Sequence, residues 1–325
     1  MGNPIRKTIL LAELEATYGT DPTPAAATDA LIVSNQSIKP LVAQNVERNI
    51  VTGNLGQAEQ LVGTNYVEVT FDVEIAGSGT PTTAPAWGKL LRACGFAETV
   101  QTASVDYTPI SDISAVASTS VTIYYYLAGR LYKLLGARGT FSMEMGVGER
   151  PVFRFRFIGR NGGLTAAAVP TPTLTMWRTP LVVTDSNTAD LLLGAVTYTA
   201  ATGIVSGGTA FTSKGLQVDI ANNVVFQPLI GGETVEIVAR NVAGKISRDL
   251  SAAQAVSDMT DILANTTTGL GFTHGTTAGN IVVVHAPKVQ RINPDIENLN
   301  ESALDTADLR FTPSSGNDEI RIVSR

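Results

Sequence analysis

Three carboxylates on one segment have the residue types and spacing that come nearest to catalytic chemistry. Glu68, Asp72 and Glu74 lie in YVEVTFDVEI, residues 66–75. Paired carboxylates flanking a sugar can carry out the acid–base hydrolysis of glycosides. Here the three acids alternate with apolar residues along a predicted open strand, and no aromatic platform for a sugar shares their face. The pattern favours an exposed strand face, or the acidic lining of a channel, over a glycosidase site.

Other catalytic and metal-binding arrangements find no support in the sequence. His274 and His285 are the only histidines, and neither has the neighbouring ligands of a metal site. The single cysteine, Cys94, excludes an intramolecular disulfide, and we expect it to be a small core residue. Motifs for a nucleophile elbow, a zinc protease or a phosphate loop are also missing. We therefore expect a protein that is not an enzyme and that uses no cofactor and no metal.

The elements that carry these residues are mainly strands, and their order occurs twice. Residues 31–75 and residues 216–246 each read as strand, turn and strand. A short helical pattern follows each stretch, at residues 86–94 and at residues 251–263, where Ser251 is a candidate N-cap. The sequence therefore predicts a mainly β protein with two tandem β-sandwich or barrel units, each with a short flanking α-helix.

Composition places the unit boundaries and limits the partners. Residues rich in Thr, Pro and Ala predict an N-terminal arm over 1–30, followed by one unit at 31–165 and a second at 166–325. Hydrophobic residues make up 44% of the 325, enough for two cores, and charged residues only 16%. The net charge of -6 disfavours a grip on nucleic-acid phosphates.

Targeting signals are weak. No apolar run reaches the about 20 residues of a membrane span, so we expect no membrane insertion. The basic N-terminus leads into a short apolar run that Glu13 and Glu15 interrupt, which disfavours a signal peptide. We expect synthesis and assembly in a cytoplasm.

Four segments give the chain a resemblance to a known family, the major tail tube proteins of long, non-contractile-tailed bacteriophages (siphophages). Their order along the chain carries the resemblance, which covers nearly the whole sequence. They are ATYGTDPTPAAATDALIV, similar to the family's opening arm; WGKLLRACGF, similar to its helix; GLQVDIANNVVFQPLIGGETVEIVARNVAG, similar to its hairpin; and GNIVVVHAPKVQRINPDIENLNESALDTADLRFTPSSGNDEIRIV, similar to its last strands.

The resemblance implies a structural virion protein with two tandem tail-tube-like units. Family members pair their sheets edge to edge into rings around a lumen, and the rings stack into the tube that delivers DNA. Since single-unit members form hexamers, a two-unit chain is expected to form trimeric, pseudo-hexameric rings, with a hexamer as the alternative. The implied partners are the tape-measure, tail-terminator and distal tail proteins. Double-stranded DNA passes transiently, without specific binding, and the tail is assembled in the host cytoplasm.

The resemblance also suggests roles for two sets of residues. Acids that repel DNA phosphates are expected to line the lumen: Glu68, Asp72 and Glu74, with Glu236 as the counterpart in the second unit. The long loop at 46–65, together with the arm, is expected to contact the neighbouring ring. The candidates in that loop are Arg48, Asn54, Gln57, Glu59 and Gln60.

Other functions remain open at this point. The chain could be another virion component, such as a tail terminator or a baseplate protein, and the sequence separates these poorly from a tube protein. It could also be a monomeric β-sandwich binding module. Such a module needs a surface aromatic platform, and Tyr124–Tyr126 is the only aromatic cluster, of which alternation buries at least one ring.

Overall fold

Antiparallel β-structure dominates the computed structural model, which describes residues 5–113 and 116–325. Strands make up 54% of the chain and helices 6%, which confirms the mainly β prediction, and among the described residues the strands close no barrel. The strands of the first half are β1 (Thr8–Leu14), β2 (Ala30–Leu31), β3 (Ser34–Val46), β4 (Leu61–Glu74), β5 (Phe96–Val100), β6 (Val105–Pro109), β7 (Val121–Leu127), β8 (Arg130–Gly146) and β9 (Val152–Ala166).

The second half contributes ten more strands, and within the described residues each half contributes one α-helix. The helices are α1 (Gly88–Ala93) and α2 (Ala252–Leu263). The strands are β10 (Leu191–Thr199), β11 (Ile204–Phe211), β12 (Ser213–Asp219), β13 (Asn222–Leu229), β14 (Gly232–Arg240), β15 (Ala243–Arg248), β16 (Thr267–His274), β17 (Val282–Leu299), β18 (Ser302–Phe311) and β19 (Arg321–Ser324).

The two halves repeat the same strand order. In the first half, β3–β4–β9–β8 form one layer, and β2–β1–β7 continue from the N-terminal half of β8. In the second half, β12–β15–β18–β17 form one layer, and β11–β10–β16 continue from the N-terminal half of β17. The β13–β14 hairpin stands between β12 and β15, in the place that the loop at 47–60 takes between β3 and β4.

Two pairings between described strands join the halves. β8 pairs with β12, so the two layers continue as one eight-stranded surface, which we call the front sheet: β3–β4–β9–β8–β12–β15–β18–β17. β19, at the end of the chain, pairs with β6 of the first half. One apolar core also runs through both halves, from Leu10 to Ile322. The division into units at 31–165 and 166–325 stays a prediction.

The alternation of β4 explains why this strand lies at the centre of the first layer. Val67, Val69, Phe71 and Val73 all point into the core, as their period of two predicts. α1 closes the same core with Leu90 and Leu91. Gly95, at φ +80°, ends this helix in a left-handed conformation that glycine adopts without steric strain.

Three segments differ from what their sequence patterns suggest. The segment predicted as an arm includes β1, which pairs with β7 and buries Leu10 and Leu11, because its apolar residues are needed in the core. Gly162 and Gly163 have the composition of a linker, but β9 continues through them to Ala166. The helical pattern at residues 251–263 forms α2, but none of the residues of this helix is buried. Residues 1–4 of the predicted arm lie outside the described residues.

Candidate functional site

The three predicted acids of β4 lie on the polar face of the front sheet. This face carries charged side chains in both halves of the chain. It lies opposite the core face, because successive side chains of each strand alternate. Glu68, Asp72 and Glu74 all lie on it, beside β9, which places Arg154 opposite Asp72 and Arg156 opposite Thr70. Further positions on this face are Lys39 on β3, Glu144 on β8, Gln217 on β12, Lys245 on β15, Asp308 on β18 and Glu297 on β17.

Glu68 is the most enclosed of the three acids. Its residue is 6% exposed, because Lys39 and Arg156 cover it. The Lys39 Nζ lies 2.6 Å from Glu68 Oε1, and Arg156 Nε donates to Oε2 at 3.0 Å. Burial acts to raise the pKa of Glu68, but the hydrogen bonds from Lys39 and Arg156 outweigh it and hold the pKa below its ordinary value. The carboxylate is therefore ionised and neutralised by two cations.

The other carboxylates of this face also have polar or cationic partners. Asp72 accepts a hydrogen bond from Asn35 Nδ2 at 2.7 Å. Glu74 accepts one from Arg150 Nη1 at 2.7 Å. Glu144 of β8 forms an ion pair with Arg154. The face is thus not a purely acidic lining but a surface on which arginines and carboxylates neutralise each other.

The same chemistry continues on the second half of the front sheet. Gln217 Nε2 donates to Glu144 Oε1 at 3.2 Å, across the β8–β12 junction. Lys214 Nζ lies 2.5 Å from Glu297 Oε1, and Ser247 Oγ donates to Oε2 of the same residue at 3.1 Å. The hydrogen bond from Lys214, followed by that from Ser247, lowers the pKa of Glu297. The polar face therefore stays charge-paired past the junction of the halves.

The structure places the fourth predicted acid, Glu236, elsewhere. It lies on β14, in the separate β13–β14 sheet, and accepts a hydrogen bond from Arg138 Nη1 at 2.5 Å. Arg138 also donates to the Val235 carbonyl at 2.8 Å. Glu236 therefore fastens the β13–β14 hairpin to β8 and is not brought together with the acids of β4.

The long loop at 46–65 lies at the tip of the β3–β4 hairpin. Both strands extend further than expected, so the tip itself comprises residues 47–60. Arg48 forms an ion pair with Glu59 across its base. Val51 and Leu55 are fully exposed. The polar candidates Asn54, Gln57 and Gln60 are exposed as well. An exposed apolar pair on a projecting tip is typical of a contact surface.

The arginines of β9 were the functional residues that sequence reasoning did not place. The alternation of Phe153, Phe155 and Phe157 with Arg154 and Arg156 is visible in the sequence and shows that the arginines point away from the core. It does not show that β9 lies next to β4, because that pairing joins residues far apart in the chain. The sequence therefore indicates which face of β9 carries the arginines, but it does not indicate which residues they contact.

The histidines serve the fold. His274 Nδ1 lies 2.8 Å from Thr188 Oγ1, and its Nε2 lies 3.1 Å from the Leu181 carbonyl, so both ring nitrogens have partners. His285 is buried beside Tyr198, with ring centroids 5.9 Å apart. Across residues 5–113 and 116–325, no group of three or more His, Cys, Asp or Glu side chains is arranged to hold a metal ion.

Comparison with known proteins gives one family. A family model described as "Phage tail tube protein" matches residues 5–316. No curated protein matches the chain. Across the part of the chain that the structure describes, no helix has the length and apolar character needed to cross a membrane.

Proposed function

Because the chain belongs to the phage tail tube protein family and is thus a structural component of the virion tail, we propose that it polymerises into stacked rings around a lumen. Rings of this kind would form the conduit for DNA delivery after assembly in the host cytoplasm. Tape-measure, terminator and distal tail proteins would be its partners in the tail. One observation carries the proposal: the front sheet is a single wall, continuous across both halves, with a polar face of paired charges.

The repeated strand order supports a ring of three chains. Each half offers a four-stranded layer of the same order, so one chain provides two equivalent segments of wall. Three such chains would supply six segments, the number in a hexameric ring of single-unit subunits. A hexamer of whole chains would double the number of segments and widen the lumen. Ring symmetry therefore measures whether the two halves act as equivalent subunits.

The polar face of the front sheet suits a lumen through which DNA must move without being held. Binding of DNA gains free energy mainly when cations neutralise phosphates and release counterions. On this face Arg156 and Lys39 already neutralise Glu68, and Arg154 neutralises Glu144. We therefore assign Glu68, Asp72 and Glu74 to the lumen, where Glu68 and Glu74 mask Arg156 and Arg150 and all three acids repel phosphates.

Removing two of the masking carboxylates tests this assignment. Glu68→Gln combined with Glu144→Gln leaves Arg154, Arg156 and Lys39 without their anions. We expect the double variant to bind short duplex DNA at low salt at least tenfold more tightly than the unchanged protein, with a steep loss as salt rises, measured by fluorescence anisotropy. Glu236→Gln is the control, since it removes a carboxylate from another surface. Equal affinity of the double variant and the unchanged protein would refute the masking role.

The tip of the β3–β4 hairpin is proposed to contact the neighbouring ring. Val51 and Leu55 are exposed in the subunit, so Val51→Ser with Leu55→Ser should leave the fold intact while removing apolar contact area between rings. We expect the double variant to give single rings or short stacks in place of tubes. The matched control is Leu229→Ser with Ile230→Ser, at the exposed tip of the β13–β14 hairpin. Tubes of normal length from the first variant would count against ring stacking through this tip.

The experiment that tests the function as a whole is negative-stain electron microscopy of the purified protein at high concentration. Tubes or stacked rings of uniform width support a tube protein, and their rotational symmetry decides between three and six chains. Capped single rings that never stack favour a terminator or baseplate role. A monodisperse monomer under all conditions, including addition of preformed tail tips, contradicts the proposal and favours a binding module.

A further inference from the structure

We infer that the end of β17 in one chain pairs with β3 of a second copy, in the same way that β8 pairs with β12 inside the chain. The inference rests on the proposed ring and names the surfaces that would build it. It follows from the internal repeat: one of the two equivalent sheet edges is occupied within the chain, and the other is open.

The occupied edge belongs to β8. Along one side of β8, the N-terminal half pairs with β7 and the C-terminal half, Ser142–Gly146, pairs antiparallel with Gly215–Asp219 of β12. Along its other side, β8 pairs with β9. Both sides of this long strand are therefore used, and the front sheet passes from the first half to the second without a break.

The open edge belongs to β17, which holds the position of β8 in the second half. Along one side, its N-terminal half pairs with β16, as β8 pairs with β7. Its other side pairs with β19 and then β18. In the described parts of the chain, nothing pairs with the first side beyond Gln290. The last five residues of β17, Asp295–Leu299, thus have the place of Ser142–Gly146 but lack the equivalent of β12.

The strand that could fill this place is β3, which holds the position of β12 in the first half. β12 pairs with β15 on one side and with β8 on the other. β3 pairs with β4 on one side, and no described strand lies along its other side. One chain therefore ends its front sheet with an open β17 edge and begins it with an open β3 edge. Since these two edges differ, their contact is head-to-tail and generates a ring when it closes.

The internal junction also gives the register. Val218 lies opposite Met143 and Asp219 opposite Ser142, with Val218 on the core face. The two layers can be aligned by matching the last residues of β17 and β8 and then following the paired, core-facing residues from strand to strand. In this alignment Ile38 of β3 corresponds to Val218 of β12. In the same alignment Ile296 of β17 corresponds to Met143 of β8. The predicted chain-to-chain pairs are then Ile38 with Ile296, on the core face, and Lys39 with Asp295, on the polar face.

Burial and charge agree with this register. Met143 is 1% exposed at the internal junction, whereas Ile296 at the equivalent position is 70% exposed. An isoleucine on the core face of a strand gains free energy when a neighbour covers it. Lys39 and Asp295 carry opposite charges, and opposite charges directly across antiparallel strands stabilise the pair. An open strand edge otherwise invites uncontrolled association, which ring closure prevents.

The C-terminal ends of the two helices also differ in whether a hairpin covers them. At the end of α1, the Cys94 carbonyl accepts a hydrogen bond from Asn222 Nδ2 at 2.7 Å, so the base of the β13–β14 hairpin closes over this helix. At the end of α2, Leu263 is exposed. The β3–β4 hairpin of a second copy, with Leu41 and Val62 exposed along its strands, would reach this place in the ring.

A pair of cysteines tests the contact directly. Ile38→Cys with Ile296→Cys places two thiols across the predicted junction, and the native Cys94 is buried, with burial raising the pKa of its thiol, so it contributes no background. After mild oxidation under assembly conditions, we expect a non-reducing gel to show covalent oligomers ending at one closed species, with most of the chain cross-linked. The control pair is Ile38→Cys with Ile204→Cys, on the edge strand β11. Equal cross-linking of both pairs would overturn the assignment.

A second variant tests the same edge without cysteine chemistry. Ile296→Asp changes an exposed residue, so the monomer should keep its melting temperature. The critical concentration for assembly should nevertheless rise at least tenfold. Ile204→Asp is the matched control and should assemble normally. Tubes that form without the Ile38–Ile296 cross-link, and that tolerate Ile296→Asp, refute this interface and leave the tube function standing. Cross-linked oligomers that never form rings or tubes support the interface and count against the function.

Discussion

The two helices occupy corresponding places in the repeated halves but are held by different forces. α1 follows β4, and α2 follows β15. Leu90 and Leu91 of α1 are fully buried in the core. α2 buries none of its residues; below it lies Arg248, at 0% exposure, whose two terminal nitrogens donate to the Asp258 carboxylate at 2.9 and 2.8 Å.

A second arginine completes the cluster under α2. Arg291 of β17 lies 2.7 Å from Asp258 and 2.8 Å from Asp261. Buried ion pairs of this kind recover the desolvation cost of the charges only when each partner stays in place. Apolar packing has no such all-or-none requirement. Equivalent positions of a repeat can therefore be stabilised by apolar burial in one half and by a charged cluster in the other. The two halves then differ in which substitutions destabilise them most.

The largest effect is expected at Asp258. Asp258→Ala leaves Arg248 and Arg291 buried without their shared carboxylate, and we expect a loss of about 3–5 kcal/mol in the free energy of unfolding. Denaturant titration followed by circular dichroism measures it. Asp261→Ala is the control, because the Asp261 side chain is 40% exposed and its loss should cost far less. Equal losses for the two variants would show that α2 is not held by the Asp258 cluster.

The matching change in the first half is Leu91→Ala. Removal of a fully buried leucine leaves a cavity, and we expect a loss of about 3 kcal/mol. Addition of 0.5 M NaCl should leave the effect of Leu91→Ala unchanged, because this effect rests on apolar burial alone. A loss below about 1 kcal/mol would mean that the core around α1 collapses to fill the space.

A smaller, pH-dependent effect is expected from His285, another ionisable group buried in the second half. Burial, and after it the charge of Arg321, lowers the pKa of His285 to about 4 from its ordinary 6.5. The folded state therefore binds fewer protons than the unfolded state between these values. The stability is complete above pH 6.5 and is lost as the pH falls towards 4, at about 1.4 kcal/mol per pH unit.

Urea titrations at pH 6.5 and pH 5 measure this contribution. We expect the unchanged protein to lose about 2 kcal/mol over this interval from His285, and His285→Asn to lose correspondingly less because it does not titrate. Other groups contribute equally to both proteins and cancel in the difference. Identical pH slopes would show that His285 is accessible to protons in the folded state.

The smallest effect concerns the start of α2. Ser251 caps the helix reciprocally with Gln254: the Gln254 N–H donates to Ser251 Oγ at 3.4 Å, and the Ser251 N–H donates to Gln254 Oε1 at 2.9 Å. Because α2 lacks buried apolar contacts, its cap should matter more than in a packed helix. Ser251→Ala is expected to cost about 1 kcal/mol, and Ser251→Asp much less. Thermal unfolding of both variants checks the cap, and equal melting temperatures would show that it is dispensable.

Local features of the sequence predicted much of this fold. The alternation of β4, the helical pattern of α1 and the cap at Ser251 are confirmed. Each depends on residues within one turn or one strand, where periodicity and capping are visible. What lies under α2 was not predicted: a polar cluster around Asp258 takes the place of apolar contacts.

The remainder depended on pairings between distant residues. The sequence shows that Glu68 faces away from the core but not that Arg156 lies beside it, and it shows an apolar segment near Leu10 but not its partner strand. Glu236 was matched to Glu68 by its pattern alone, yet β14 belongs to a separate hairpin. Whether the acids of β4 line a lumen stays a prediction, as do the unit boundaries and the ring symmetry.

The β8–β12 junction has a consequence for the speed and persistence of assembly. Its two strands belong to one polypeptide, so they meet at an effective concentration on the order of millimolar, whatever the dilution of the protein. In the proposed ring, half of all lateral joints are of this kind and form during folding. Only the other half require an encounter between chains, and only they are weakened by dilution. A chain with two fused units thus halves the number of joints that must form between chains, from about six to about three in a ring of six units.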